Sequence, residues 1–92
     1  MEKKAVRVEL ENGVDARSVA EMVQLASKYK SSMYILVENS RVNAKSIMGM
    51  MTLNLEHGKE VTLEAEGEDE GNALSDMTGY LLGSSVSGDE EQ

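Results

Sequence analysis

Two apolar rhythms run through this chain and restrict the folds open to it more than any other feature. Val6, Val8 and Leu10 alternate with Arg7 and Glu9, and Val61, Leu63 and Ala65 alternate with Thr62, Glu64 and Glu66. A period of two turns one side of a strand to a core and leaves the other in water. Elsewhere the period changes: Val19, Met22, Val23 and Ala26 fall at i, i+3, i+4 and i+7, and Ala73, Leu74, Met77 and Leu81 keep helical spacing. Strands with a single apolar face need a cover on that face. A chain of 92 residues holds one core. The pattern therefore predicts one α+β domain, a mostly antiparallel sheet with helices on one side.

Local signals place the elements. A first strand over Val6 to Leu10 ends at Gly13, and a helix runs from Ala16 to about Lys28. MYILV at 33–37 reads as a strand, 38–40 as a turn and Arg41 to Asn43 as a short return strand, so this segment is a hairpin. A short helix is expected from about Ile47 to Leu53. The HGK turn at 57–59 opens the last strand, and Asp69 is expected to cap the last helix. The order is β-α-β-β-α-β-α. From Gly83 the composition turns to Gly, Ser and acid, which divides the chain into a domain over 1–83 and a flexible acidic tail over 84–92.

Several function classes are excluded early. Without cysteine there is neither a disulfide nor a thiolate metal site, and no metal or cofactor is expected. The longest uncharged apolar run, Met33 to Val37, falls far short of the roughly 20 residues of a membrane span. MEKKAVRVEL carries charges but no signal-type apolar segment, so a cytoplasmic protein is expected. Residues 1–55 hold eight Lys or Arg against six Asp or Glu, and residues 56–92 hold one against eleven. Direct nucleic-acid binding needs clustered cations and is not expected. The acidic half reads as a solvated face, with an acidic docking surface as the alternative.

Chemistry concentrates at two helix starts. Asp15 precedes the first helix and can accept hydrogen bonds from its unpaired N–H groups, while Arg17 in the same turn completes an anion site that Asp15 fills with its own charge. In VNAKSIMGMM, residues 42–51, Ser46 stands where a hydroxyl caps the second helix, behind Lys45. Met50 and Leu53 can point into the sheet while Ile47, Met48 and Met51 form an outward face. Gly49 lets a partner approach. Methionines adapt to several partner shapes, so an exposed Ile47/Met48/Met51 patch reads as an interaction site; the plain alternative is that all are core. His57, the only histidine, reads as an exposed turn residue.

Taken together, VNAKSIMGMM, the helix opening GVDARS, VQLASKY at 23–29 and GEDEGNAL at 67–74 resemble the HPr family of the bacterial sugar phosphotransferase system, from about Val6 to Leu82. The resemblance implies an open-faced β-sandwich with four antiparallel strands and three helices on one side. In that family's phosphocarriers a histidine occupies the place of Asp15, receives phosphate from enzyme I and passes it to sugar-specific acceptors. This chain lacks it and is more similar to the Crh-type branch, which keeps the serine but has lost the histidine. For such a protein the resemblance implies a non-enzymatic regulator, phosphorylated on Ser46 by HPr kinase/phosphorylase and bound to a CcpA-type transcription factor through the serine phosphate, Arg17, Lys45, Ile47, Met48 and Met51. Asp15 then imitates part of the charge of a phosphohistidine. Two alternatives stay open: a carrier phosphorylated on Asp15 itself, and a module that binds phosphotransferase proteins without being phosphorylated. Either a monomer or a strand-exchanged dimer fits the edge strands.

Overall fold

The computed structural model describes residues 1–83. Along the chain lie β1 (Glu2–Arg7), α1 (Ala16–Ser27), β2 (Ser32–Val37), β3 (Ser40–Asn43), α2 (Ile47–Met51), β4 (Glu60–Glu66) and α3 (Glu70–Leu81), the order read from the sequence. The strands form one antiparallel sheet in the order β1-β4-β2-β3, with the three helices on one face. The acidic segment 84–92 lies outside the described residues.

Register explains the core. Val6 pairs with Val61, Leu63 with Ile35 and Ala65 with Met33, so one side of the sheet is a continuous apolar floor. Onto it α1 sets Val19, Met22, Val23 and Ala26, and α3 sets Ala73, Leu74, Met77 and Leu81, all buried. These are the helical faces expected from the spacing. Fully burying each larger side chain contributes on the order of 1.5–3 kcal/mol.

The first strand differs from expectation. It starts at Glu2 and ends at Arg7, whereas the alternation suggested Val6 to Leu10. Val8 is buried, but its N–H donates to the Lys59 carbonyl at 2.8 Å and the next N–H, that of Glu9, to the Leu81 carbonyl at 2.8 Å. The first bond still follows the β1–β4 register, with the Gly58 N–H donating back to the Val8 carbonyl at 2.7 Å, but the second turns the chain to the end of α3, so the run past Arg7 is no longer strand. The charged residues Glu2, Lys3 and Lys4 join β4 instead, which an edge strand tolerates because one side of it meets water. Across the sheet's open face, Glu64 is only 5% exposed, lying 3.4 Å from both Lys3 Nζ and Arg41 Nε, and the Arg41 guanidinium sits 3.8 Å from the centre of the Tyr34 ring.

The hairpin turn is shorter than expected, because Ser40 already pairs with Val37 and only Glu38 and Asn39 turn. Likewise α2 stops at Met51, short of Leu53, with the Thr52 hydroxyl donating to the Gly49 carbonyl at 2.7 Å.

Asp69 overturns a sequence expectation. It occupies the N-cap position of α3 but makes no side-chain bond to that helix. Its carboxylate reaches sideways and accepts the backbone N–H groups of Lys30 and Ser31, each at 2.9 Å, and the Ser31 hydroxyl. Asp69 thus ties the α1–β2 connection to the start of α3. Glu70 takes up local duty at the helix start, accepting the Gly67 N–H at 3.0 Å. Gly67, at φ 152°, is confined by the same clamp: a Cβ there would lie 2.7 Å from Ser31 Cα, which no side chain can occupy.

The Ser31 hydroxyl first, then the backbone N–H groups, hold the Asp69 carboxyl below its ordinary 3.8. A depressed folded value means stability that is present above 3.8 and lost as pH falls through the folded value. We expect the urea midpoint to fall as pH drops through and below 3.8, and to fall less steeply in Asp69→Ala. Parallel pH profiles for the two proteins would contradict the clamp.

Candidate functional site

The start of α1 is positioned by the loop before it. Gly13 adopts φ 69°, and a Cβ there would come within 2.5 Å of the Leu55 carbonyl oxygen, the same atom that accepts the Val14 N–H at 2.7 Å. This contact presses the loop onto the segment before β4 and presents Asp15 in extended conformation. Asp15 Oδ1 accepts the Ser18 N–H at 2.9 Å, as a capping residue should. That backbone N–H first, with the Ser18 hydroxyl behind it, holds the Asp15 carboxyl below its usual value. Asp15 is therefore an exposed, fixed negative charge at neutral pH.

Arg17 does not close the anion site expected with Asp15. Its side chain is 88% exposed, and its Nε lies 3.5 Å from Glu21 Oε2, one turn along α1. The other Glu21 oxygen accepts the Tyr80 hydroxyl at 2.5 Å. The guanidinium is thus steered along the helix by a carboxylate that α3 holds in place. The i,i+4 spacing of Arg17 and Glu21 was available in the sequence. Tyr80, 59 residues from Glu21, was not.

At α2, Ser46 has an extended backbone and its Oγ accepts the Gly49 N–H at 3.1 Å. The residue is half-buried, with its hydroxyl at the helix mouth. Gly49 faces that hydroxyl: a Cβ there would stand 3.4 Å from Ser46 Oγ. Glycine leaves room around the oxygen as well as room for a partner. Lys45, half-buried, is engaged within the fold. Its ammonium donates to the Tyr29 carbonyl at 2.7 Å, tying the approach to α2 to the far end of α1.

The side chains of α2 divide by direction. Met50 is 1% exposed and Leu53 half-buried, both packed with the core. Ile47, Met48 and Met51 are 52%, 81% and 54% exposed. These three dominate the large exposed hydrophobics of the described residues, with Met1 and Leu82 elsewhere. Arg17 lies in the first turn of α1, whereas Lys45, the neighbour of Ser46, is tied to Tyr29 just past the last turn of that helix. His57 stays exposed in its turn, 3.6 Å from the Glu9 carboxylate. Among the described residues no group of three or more His, Asp or Glu side chains is placed to hold a metal ion, and no helix is long and apolar enough to cross a membrane.

A four-stranded open sheet covered by three helices, one of them a short, serine-capped, methionine-rich helix packed against α1, defines a small protein of the phosphocarrier class. The chain belongs to the HPr family: the model described as "PTS HPr component phosphorylation site" matches residues 2–81. It is 43% identical over 81 residues to the HPr-like protein Crh of Bacillus subtilis (strain 168), spanning 88% of this chain and 95% of that one. Among solved structures, a phosphocarrier protein HPr from Bacillus anthracis str. Ames superposes with a TM-score of 0.84 at 39% identity, over 87% of this chain and 95% of that one. The Bacillus subtilis Crh crystal structure, described as a swapped dimer, gives 0.75 at 40% identity over 95% and 100%.

Burial first, and the Glu21 hydrogen bond second, push the Tyr80 hydroxyl up to about 12 from 10.0. A raised folded value means that this contact stabilises below 10.0 and is lost as pH rises through about 12. The phenolate absorbance of the native protein minus that of Tyr80→Phe should titrate near about 12. A difference curve centred on 10.0 would show the Tyr80 hydroxyl to be neither buried nor bonded to Glu21.

Proposed function

We propose that this chain is a cytoplasmic, non-catalytic regulator whose binding state is set by phosphorylation of Ser46. The observation that carries the reading is the placement of a half-buried hydroxyl at the mouth of α2, directly beside the exposed Ile47, Met48 and Met51. A phosphate on Ser46 would add about 1.5 to 2 negative charges where the first turn of the helix favours them. The helix keeps its shape and the surface changes from neutral to anionic beside an apolar patch. The modifying enzyme is an HPr kinase/phosphorylase, and the partner is a CcpA-type transcription factor that reads the phosphate, the patch and Arg17 together. DNA is affected only through that partner. Because Lys45 is already bonded to Tyr29, it holds the loop in position and serves the partner indirectly.

Asp15 supports the same reading. A carboxylate engaged with the Ser18 N–H gives α1 a permanent negative cap, a partial imitation of a phosphorylated histidine. The similarity to Crh favours a regulator over a carrier. Strand exchange follows from the topology. As an edge strand, β1 can make its Val6 to Val61 register with β4 of a second copy as well as with its own, so monomer and exchanged dimer share the same contacts. Concentration then sets the balance, and light scattering on size-separated samples at several loadings should show the dimer fraction rising. A single species of monomer mass throughout would exclude exchange.

Phosphorylation is tested by label. With ATP and HPr kinase, acid-stable phosphate should appear on Ser46 and vanish in Ser46→Ala; with phosphoenolpyruvate and enzyme I, no hydroxylamine-labile phosphate should appear on Asp15. Docking is tested by retention on the purified repressor of native, Ser46→Ala and kinase-treated protein. Only the last should be held, and equal retention of all three would defeat the switch. Ser46→Ala also loses a helix cap, at a cost of about 1 kcal/mol, so its folding is checked by circular dichroism.

A further inference from the structure

The seven methionines fall into two sets with nothing between them. Met22, Met33, Met50 and Met77 are sealed in the core, while Met48, Met51 and Met1 are more than half exposed. Within α2 the division occurs inside four consecutive residues, since Met48 and Met51 share the outward face three positions apart and Met50 points to the sheet. Susceptibility of a thioether to oxidation follows its exposure, so a soluble oxidant meets the docking face and not the core.

We propose that Met48 and Met51 are a paired oxidation site through which peroxide switches off the apolar docking surface, in opposition to phosphorylation of Ser46. The proposal rests on the docking reading given above. In the reaction a sulfur lone pair attacks one oxygen of hydrogen peroxide. The S–O bond forms, the O–O bond breaks and the remaining oxygen leaves as water, so each sulfur is oxidised by two electrons and the peroxide reduced by two. The product is a polar sulfoxide. An apolar surface that gains when it leaves water becomes one that must surrender hydrogen-bonded water to do so. The fold is untouched, because the oxygens are added to side chains that already lie more than half in water, while the helix is anchored by the buried Met50. Methionine sulfoxide reductases reverse the step, which makes it a switch.

Proteolysis after Lys45 and Lys59 releases Met48, Met50 and Met51 in one fragment, so selectivity is read internally. The full chain, phosphorylated on Ser46, is treated with hydrogen peroxide. Fragment mass spectrometry should place one oxygen on each of Met48 and Met51 and none on Met50, with the thermal midpoint unchanged. Affinity for the purified CcpA-type repressor should fall about tenfold or more, as expected for apolar burial forfeited at one or two anchors. Sulfoxide reductase should restore it. In the double variant M48L/M51L, whatever its own affinity, peroxide should leave binding as it was.

Oxidation of Met50 as readily as of Met48, unchanged affinity after oxidation, or a peroxide response surviving in M48L/M51L would each overturn the proposal. If the untreated phosphoprotein does not bind the repressor, the docking reading falls and this inference with it. If it binds and the oxidised form binds equally, this inference falls alone.

Discussion

The pairing of β4 with β1 on one side and β2 on the other is the interaction from which the rest of the molecule is hung. Val61, Leu63 and Ala65 are each 1% exposed, and each lies opposite a residue of a neighbouring strand that completes the apolar floor. Its other face holds Glu64 between Lys3 and Arg41, so the same strand also draws charged residues of both edges toward the middle of the sheet. Helices can cover only the apolar side. That leaves their starts and outward faces to interact with other molecules.

The functional surface comes from a shortage of length in α2. With five residues, this helix can turn one methionine fully inward and has no opposite partner for the others. Ile47, Met48 and Met51 therefore stay in water, where apolar side chains persist at a small cost in solubility unless something covers them. Lys45 and Ser46 fix where the helix begins, the first by its bond to Tyr29 and the second by its bond to the Gly49 N–H. The Ser46 hydroxyl and the apolar pad are thereby held at a constant spacing. Arg17, in the first turn of α1, is restrained by Glu21, which the Tyr80 hydroxyl holds in turn.

Much of this was legible in the residues. The apolar faces of α1 and α3, the hairpin, the Ser46 and Asp15 caps and the inward turn of Met50 all follow from spacing within one element, which covalent geometry sets locally. The partner misreadings have one cause. The first strand reads as Val6 to Leu10 until β4 offers Glu2 to Lys4 a partner, and Asp69 looks like a helix cap until Ser31, 38 residues earlier, arrives beside it. Arg17 reads as closing a site with Asp15 until Tyr80 holds Glu21 within its reach. In each case a charged or polar side chain found a partner that no local pattern contains.

Alternation of strands and helices, the single core, the two capped helix starts and the likeness to HPr can all be read from the residues in order. Side-chain period and capping are properties of a few neighbouring residues, and they survive in any arrangement that satisfies the core. Only the tertiary structure decided which polar groups meet: Asp69 with Ser31, Lys45 with Tyr29, and Arg17 with a Glu21 held by Tyr80. Those contacts require distant segments to be brought within hydrogen-bond range, and burial of the sheet's apolar face is what brings them there.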